Sequence, residues 1–214
     1  MESLETELER ARALDTASLA DAIESIGFDC TRCGACCKGV EDEHTATVFP
    51  DEVRDLQAAT DYDWRDVARP MPYGLDEGPD GPEGETFEWA LATDTCGDCT
   101  FYEESDGVGA CTVHEDRPLV CRTYPFSVAL GGTSQPMGQA VDESGMVRAH
   151  ECEGLGRDIS REAAEELAAA LKERAVRDIE EAIAVRDSYE PTEAAGKVVV
   201  HDSEGQKRPD GRPL

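Results

Sequence analysis

The sequence is poor in lysine, in aromatic residues and in long apolar runs. Lysine occurs 4 times in 214 residues, aromatic residues make up 6%, and 20 basic residues face 48 acidic ones, so the formal net charge is −28. No stretch approaches the roughly 18 apolar residues that a membrane-spanning helix needs. A surface of this charge also repels phosphate backbones. We therefore expect no membrane association and no nucleic-acid binding.

The N-terminus lacks the features of a secretory signal, because its first ten residues are acidic and contain no apolar segment. We therefore expect a cytoplasmic protein. The chain nevertheless contains 9 cysteines. In a reducing compartment, clustered cysteines bind metal or take part in redox chemistry more often than they form disulfides.

The acidic residues are spread over the whole chain, so the charge is a property of the entire surface. Such a surface repels itself at low salt, whereas at molar salt the Debye length falls to roughly 3 Å and most of the repulsion disappears. This pattern predicts a halophilic protein that works in a salt-loaded cytoplasm. The alternative is an ordinary acidic protein of a low-salt cell.

The hydrophobic pattern predicts an α+β fold. We expect a small single domain in which two long helices, N- and C-terminal, surround a cysteine-rich, loop-heavy metal-binding centre with a few short strands. The predicted segments are an N-terminal helix over 1–27, a cysteine-cluster metal-binding domain over 28–157, a C-terminal helix over 158–189 that packs on the same domain, and a mostly flexible tail over 190–214.

Shorter elements are predicted between the two helices. A helix is expected to begin at Pro50, and residues 70–85 are expected to be irregular because they hold four prolines and four glycines. Short strands are expected at 45–49, 87–92, 109–113 and 127–130.

The strongest local motif is C-x2-C-x2-C-C, formed by Cys30, Cys33, Cys36 and Cys37. Bacterial ferredoxins use the first three spacings to hold a [4Fe–4S] cluster. Side chains of adjacent residues tend to diverge. Cys36 and Cys37 should therefore reach different atoms of a multinuclear centre, or serve two neighbouring sites.

Five further cysteines can supply the remaining ligands: Cys96, Cys99, Cys111, Cys121 and Cys152. Eight thiolates would complete two sites of four and leave one cysteine over. Zinc favours closed tetrahedral thiolate sites, whereas the C-x2-C-x2-C spacing and the adjacent Cys36 and Cys37 favour an iron–sulfur centre. Soft thiolates accept both metals. Disulfides, buried thiols, or dithiol exchange at Cys33 and Cys36 are the alternatives.

Arginines and a tyrosine accompany one of these cysteines. Arg117 and Arg122 flank Cys121 and are candidates to donate hydrogen bonds toward sulfur, which would offset the negative charge of a thiolate centre. Tyr124 and Phe126 are candidates to cover the site and exclude water. The alternative is that the arginines pair with surface carboxylates and that the aromatic residues belong to an ordinary core.

These residues together resemble the YkgJ-type CxxCxxCC cysteine-cluster family, described as zinc- or iron-chelating domains. The resemblance covers about residues 28 to 155 and implies metal binding more firmly than any reaction. By the family pattern Cys96 is an addition. The matching pattern is Phe28-x-Cys30-x2-Cys33-Gly34-x-Cys36-Cys37-x-Gly39, then Cys99, then Cys111-x5-Arg117-Pro118-x2-Cys121-Arg122-x-Tyr124-Pro125-Phe126, and Cys152-x-Gly154.

Three functions fit the sequence. The first is a cytoplasmic metal-binding protein with one or two thiolate-ligated centres, favoured to be iron–sulfur of the 4Fe–4S type, in electron transfer or sensing. The second is a structural zinc domain that presents a surface to a protein partner. The third is a side-chain modifying enzyme related to flagellin lysine methylases, which carry a similar cysteine cluster. This chain shows no glycine-rich cofactor loop, so whether it is an enzyme stays open.

Overall fold

The computed structural model describes residues 3–39, 44–79, 81–130, 140–192 and 196–214. The chain forms two compact units. Unit 1 comprises Met1–Cys36, Glu104–Gly109 and Leu119–Glu180, and unit 2 comprises Cys37–Glu103, Ala110–Pro118 and Glu181–Leu214. The boundary between the two units falls within the cysteine motif, between Cys36 and Cys37.

The described residues form a mixed α+β structure, which confirms the predicted class. The helices are α1 Leu4–Arg12, α2 Thr16–Ile26, α3 Pro50–Ala59, α4 Trp64–Val67, α5 Leu119–Thr123 and α6 Arg161–Ser188. The strands are β1 Thr47–Val48, β2 Ala68–Pro70, β3 Leu75–Gly78, β4 Gly81–Thr86, β5 Trp89–Leu91, β6 Tyr102–Ser105, β7 Val108–Cys111, β8 Phe126–Val128, β9 Ala140–Asp142, β10 Val147–His150, β11 Val198–Asp202 and β12 Gly205–Lys207. No helix of these described stretches is long and apolar enough to cross a membrane.

The prediction of two long helices is correct only for the C-terminal one. The N-terminal segment is split into α1 and α2 by Asp15, the N-cap of α2. Its carboxylate accepts hydrogen bonds from the amide of Ser18 at 3.0 Å and from the hydroxyl of Ser18 at 2.6 Å. Such a cap starts a new helix. The apolar stripe hides the break, because Leu8 and Leu19 are buried on either side of it.

The long helix α6 begins after Ser160, whose hydroxyl accepts the amide of Ala163 at 3.2 Å. An apolar stripe of this helix is buried at Leu171, Ala175 and Ile179. Beside that stripe lies Arg174, which is 1% exposed. Its Nη1 donates to Thr123 Oγ1 at 3.1 Å, and its Nε lies 3.5 Å from Asp178. A buried arginine therefore fixes α5, the helix that carries Cys121, to α6 within unit 1.

Unit 1 also contains a three-stranded sheet in the order β8-β10-β9. Strands β8 and β10 are antiparallel, with Phe126 opposite Ala149. Both residues are fully buried, as is Ile23 of α2, the helix that lies against β10. Burial of these apolar side chains stabilises the unit. Cys121 and Cys152 lie close in sequence to β8 and β10, so the sheet constrains the backbone next to both.

Unit 2 contains two sheets, in the orders β1-β5-β2 and β12-β11-β4-β3. Residues 70–85, predicted to be irregular, instead contain β3 and most of β4. Strands β3 and β4 are antiparallel. Gly81 and Gly84 have φ angles of +120° and +127°, which only glycine adopts readily. The glycines that suggested an irregular segment are the residues that permit this hairpin.

The C-terminal tail differs from the mostly flexible segment predicted over 190–214. Residues 198–202 form β11, which pairs in parallel with β4, and residues 205–207 form β12. Val199 and Val200 are buried. Asp202 accepts a hydrogen bond from Trp89 Nε1 at 2.9 Å, between residues 113 positions apart. The sequence of the tail does not reveal the pairing of β11, because its partner β4 lies far away in the chain.

Candidate metal centre

In unit 1 the cysteine loop is joined to the segment that carries Cys152. Phe28 and Leu155 form an isolated antiparallel bridge. The amide of Asp29 donates to the carbonyl oxygen of Gly154 at 3.0 Å. These contacts join the residues just before Cys30 to the residues just after Cys152. The backbone therefore brings the first and last cysteines of the family pattern into one region.

Tight backbone packing makes this approach possible. A Cβ atom on Gly154 would overlap the carbonyl oxygen of Asp29. Further along the loop, Arg32 and Gly34 have φ angles of 58° and 76°. The carbonyl oxygen of Arg32 accepts the amide of Gly109 at 2.7 Å, so the hairpin tip at residues 104–109 fixes the middle of the loop.

The thiols of this region influence one another electrostatically. Burial raises the pKa of the Cys152 thiol, and the nearby thiols of Cys33, Cys36 and Cys30 raise it further. The amide of Gly154, 3.4 Å from Cys152 Sγ, donates a hydrogen bond that acts in the opposite direction. Four of the eight predicted metal ligands therefore lie near each other in unit 1. The protonated state of Cys152 is favoured until a cation compensates the charge of its thiolate.

Tyr124 lies near three of these cysteines, Cys152, Cys36 and Cys33. Its hydroxyl donates a hydrogen bond to the carbonyl oxygen of Glu151, the residue before Cys152. Burial, followed by the thiols of Cys152 and Cys36, raises the pKa of Tyr124 to about 12. The tyrosine is therefore neutral at physiological pH, and its hydrogen bond holds the backbone that carries Cys152.

The residues next to Tyr124 strengthen this arrangement. Phe126 is fully buried, and its ring meets that of Phe28 edge to face, with 5.8 Å between the centroids. The carbonyl oxygen of Pro125 accepts the amide of His150 at 2.9 Å. His150 is itself buried and lies 2.8 Å from the hydroxyl of Ser127 through Nε2. Cys121, half-buried on α5, completes the cysteines of unit 1.

Unit 2 contains the other four cysteines: Cys37, Cys96, Cys99 and Cys111. The amide of Cys99 donates to the carbonyl oxygen of Cys37 at 2.8 Å. The amide of Gly39 donates to Asp98 Oδ1 at 2.9 Å. The end of the cysteine motif therefore lies against the turn that carries Cys99.

The turn between Cys96 and Cys99 is shaped by Asp94. Asp94 Oδ1 accepts the amides of Cys96 at 2.7 Å and Asp98 at 3.1 Å. The role of Asp94 in this turn was not predicted from the sequence. An aspartate two residues before a Cys-Gly pair is the signal that could have found it, because such side chains bond to backbone amides in Asx turns.

Two findings describe the arrangement of the cysteine side chains. All 9 cysteines lie within the described residues, and none of them forms a disulfide. Over residues 3–39, 44–79, 81–130, 140–192 and 196–214, no three His, Cys, Asp or Glu side chains converge at a point that could hold a metal ion. The backbone gathers the cysteines, whereas the thiol groups do not yet point to a common centre.

The two arginines predicted to assist the centre belong to different units. Arg117 belongs to unit 2, and its Nε donates to the carbonyl oxygen of His114 at 3.0 Å. Arg122 belongs to unit 1 and is exposed on α5. Hydrogen bonds from these guanidinium groups to sulfur stay a prediction.

Cysteines gathered on constrained loops, with no disulfide among them, are typical of metal-chelating proteins. The family model CxxCxxCC, "Putative zinc- or iron-chelating domain", matches residues 29–153. The match covers more than half of the chain, so the protein belongs to the CxxCxxCC family, and the resemblance noted from the sequence is confirmed. This family assignment supports a metal-binding role. No curated protein and no solved structure matched the chain.

Proposed function

We propose that unit 1 holds an iron–sulfur cluster of the 4Fe–4S type, with Cys30, Cys33, Cys36 and Cys152 as its ligands. The observation that carries the proposal is the backbone pairing beside Cys30 and Cys152. It supplies the fourth cysteine that the C-x2-C-x2-C spacing needs from elsewhere in the chain.

The residues of unit 1 fit such a group. Hydrogen bonds between main-chain groups, from Asp29 to Gly154 and from Gly109 to Arg32, hold their backbone, so the ligand segments are positioned before metal binds. The thiols must turn about their χ1 angles toward a common centre. Metal binding replaces the thiol protons. Burial, and then the nearby thiols, raise the pKa of Cys152, and bound cations would compensate the charge of its thiolate.

The surroundings suit a centre that exchanges electrons or senses its environment. When bound, the cluster would supply a one-electron redox couple. Cys30 and Cys36 are exposed, so a partner protein could approach from that side in the cytoplasm. Tyr124, which is half-buried near Cys152, Cys36 and Cys33, would shield part of the cluster from water. This partial exposure favours electron transfer or sensing over a purely structural role.

The test is the metal and acid-labile sulfide content, with a visible spectrum, of the full chain purified anaerobically in molar KCl. We expect about four iron and four sulfide per chain and a brown colour that bleaches with dithionite. A colourless protein without iron would overturn the proposal. Zinc alone would instead support the structural zinc domain that the sequence left open.

The fourth ligand is tested with a matched pair of variants. Cys152→Ser should lose most of the iron and sulfide, while Cys121→Ser, in the same unit, should keep them. The opposite result would assign the fourth position to Cys121 and contradict the ligand set proposed here.

A further inference from the structure

We propose that unit 2 carries a docking surface for a basic segment of a partner protein, on which the rings of Phe87 and Tyr189 bind an arginine side chain. We call these two rings, with the carboxylates of Glu85, Glu88 and Glu190, the aromatic patch. All five residues belong to unit 2. The proposal does not rest on the iron–sulfur cluster proposed for unit 1.

The chain uses few aromatic residues, yet it leaves these two exposed side by side. Aromatic residues make up 6% of the sequence. Phe87 is 45% exposed and Tyr189 is 39% exposed. Their ring centroids are 5.6 Å apart, at an interplanar angle of 54°. Contiguous exposed apolar surface surrounded by polar residues is typical of interaction sites, whereas single exposed apolar side chains are ordinary.

Both rings are fixed in place by His201 and Glu85. The buried ring of His201 stacks on Phe87, with 5.3 Å between the centroids, and meets Tyr189 at 4.9 Å. Glu85 accepts a hydrogen bond from the Tyr189 hydroxyl at 3.1 Å and lies 3.0 Å from His201 Nε2. Because the rings are held before a partner arrives, binding costs little side-chain entropy.

The packing of the rings determines which cation fits. Phe87, Tyr189 and His201 contact one another directly, so they leave no cage that could enclose an ammonium group. A cation can lie only on the exposed side of Phe87 or Tyr189. The flat guanidinium group of arginine stacks on such a ring and is weakly hydrated, whereas the compact ammonium group of lysine holds its water more strongly.

The charge of the aromatic patch favours a basic partner. The Glu85 side chain, which contacts Tyr189 and His201, is 22% exposed. Glu88 and Glu190 are exposed and directly follow the two aromatic residues in the chain. These carboxylates can accept hydrogen bonds from a stacked guanidinium group.

The net charge of −28 narrows the choice of partner further. It repels phosphate backbones and anionic lipid surfaces, and it opposes the approach of a second copy of this chain. A basic protein segment is therefore the occupant that the charge selects. At molar salt, where the Debye length is roughly 3 Å, ion pairs on the surface are weakened. Contact with the rings does not depend on charge alone, so binding should persist there.

The test is an NMR titration of the full chain with two synthetic peptides, one of alternating glycine and arginine and one of alternating glycine and lysine. We expect the ring signals of Phe87 and Tyr189 to shift. At molar KCl the arginine peptide should bind about fivefold more tightly than the lysine peptide. Equal affinities, or loss of all binding at molar KCl, would show attraction by charge alone and overturn the proposal.

A matched pair of variants tests the ring itself. Phe87→Leu keeps an apolar side chain and removes the aromatic face, so it should weaken binding of the arginine peptide about fivefold. Tyr62→Leu is the control, because Tyr62 is also exposed in unit 2 but stacks on Phe101. It should leave the affinity unchanged. An equal effect of both substitutions would contradict the proposal.

The wild-type titration decides alone if Phe87→Leu does not fold. Shifts confined to rings other than Phe87 and Tyr189 would place the peptide elsewhere and overturn the aromatic patch. Sedimentation of the wild-type chain covers the remaining occupant. Dimerisation that shifts the same two ring signals, with no response to the arginine peptide, would make a second copy the partner and overturn the proposal.

Discussion

The amide of Asp29 and the carbonyl oxygen of Gly154 form a hydrogen bond of 3.0 Å, with Gly154 packed so closely that it has no room for a side chain. An added Cβ atom would overlap the Asp29 carbonyl and lie 3.0 Å from a carbon of the Phe28 ring. The approach of the cysteine loop to the Cys152 segment therefore depends on a glycine at this position.

Gly154→Ala should lower the free energy of unfolding by about 1–3 kcal/mol, because the new methyl group must displace backbone. It should also reduce the metal content of unit 1, since the loop moves away from Cys152. Urea unfolding and metal analysis check both effects. Gly145→Ala is the matched control, because a Cβ there meets nothing within 4 Å. Equal behaviour of the two variants would show that the close approach does not hold the loop.

Tyr124→Phe should destabilise the protein by about 1 kcal/mol, because the carbonyl of Glu151 loses its donor while the ring is kept. The loss is measured by urea unfolding at neutral pH. Tyr73→Phe is the control, since Tyr73 is 66% exposed and should change stability by less than about 0.5 kcal/mol. If Tyr124→Phe is as stable as this control, the hydroxyl does not hold the Cys152 segment.

Glu85 of β4 should give unit 2 a pH-dependent stability. Its carboxylate accepts hydrogen bonds from the hydroxyl of Thr192 at 2.7 Å, the amide of Thr192 at 3.0 Å and His201 Nε2 at 3.0 Å. These bonds, led by that of the Thr192 hydroxyl, lower the pKa of Glu85 from 4.5 to about 2. Because the pKa is lowered by folding, the stabilisation is present above pH 4.5 and is lost as the pH falls toward 2.

The prediction is tested by comparing wild type with Glu85→Gln. Wild type should be more stable by about 1–2 kcal/mol at pH 6, and the difference should shrink as the pH falls from 4.5 to 3. Glu77→Gln, at an exposed position of β3, controls for the removal of one negative charge. A difference that does not change with pH would contradict the prediction.

Potassium chloride should raise the stability of the chain. With a net charge of −28, self-repulsion opposes folding until salt shortens the Debye length. We expect the melting temperature to rise steadily between 0.1 M and 2 M KCl. The measurement is thermal unfolding followed by circular dichroism. Full stability in dilute buffer, with no increase on adding salt, would exclude the halophilic interpretation.

The sequence predicted the elements that local patterns determine. The stripe that includes Leu171, Ala175 and Ile179 predicted α6, because a helix places these residues on one face. The break at Asp15 was missed because the apolar stripe continues across it. The pairing of β11 with β4 was not predicted, because the tail sequence does not show a partner so far away in the chain, and β12 was missed because it depends on β11.

The candidate metal centre was likewise predictable only as far as local spacing determines it. The spacing of Cys30, Cys33 and Cys36 predicted a metal centre, and the family match supports it. Spacing could not show which distant cysteine completes the set, because that depends on how the backbone returns. The pairing of Asp29 with Gly154 and of Cys37 with Cys99 is visible only in three dimensions.

The parallel pairing of β11 with β4 has a consequence for biosynthesis. Asp202 of β11 accepts its hydrogen bond from Trp89, 113 positions earlier in the chain. β4 therefore remains without its parallel partner until the ribosome has made β11. Every segment of unit 1 ends by Glu180 and is available earlier. Since chains fold from the N-terminal side during synthesis, unit 1 can fold first, while the growing chain still lacks the strand that completes unit 2.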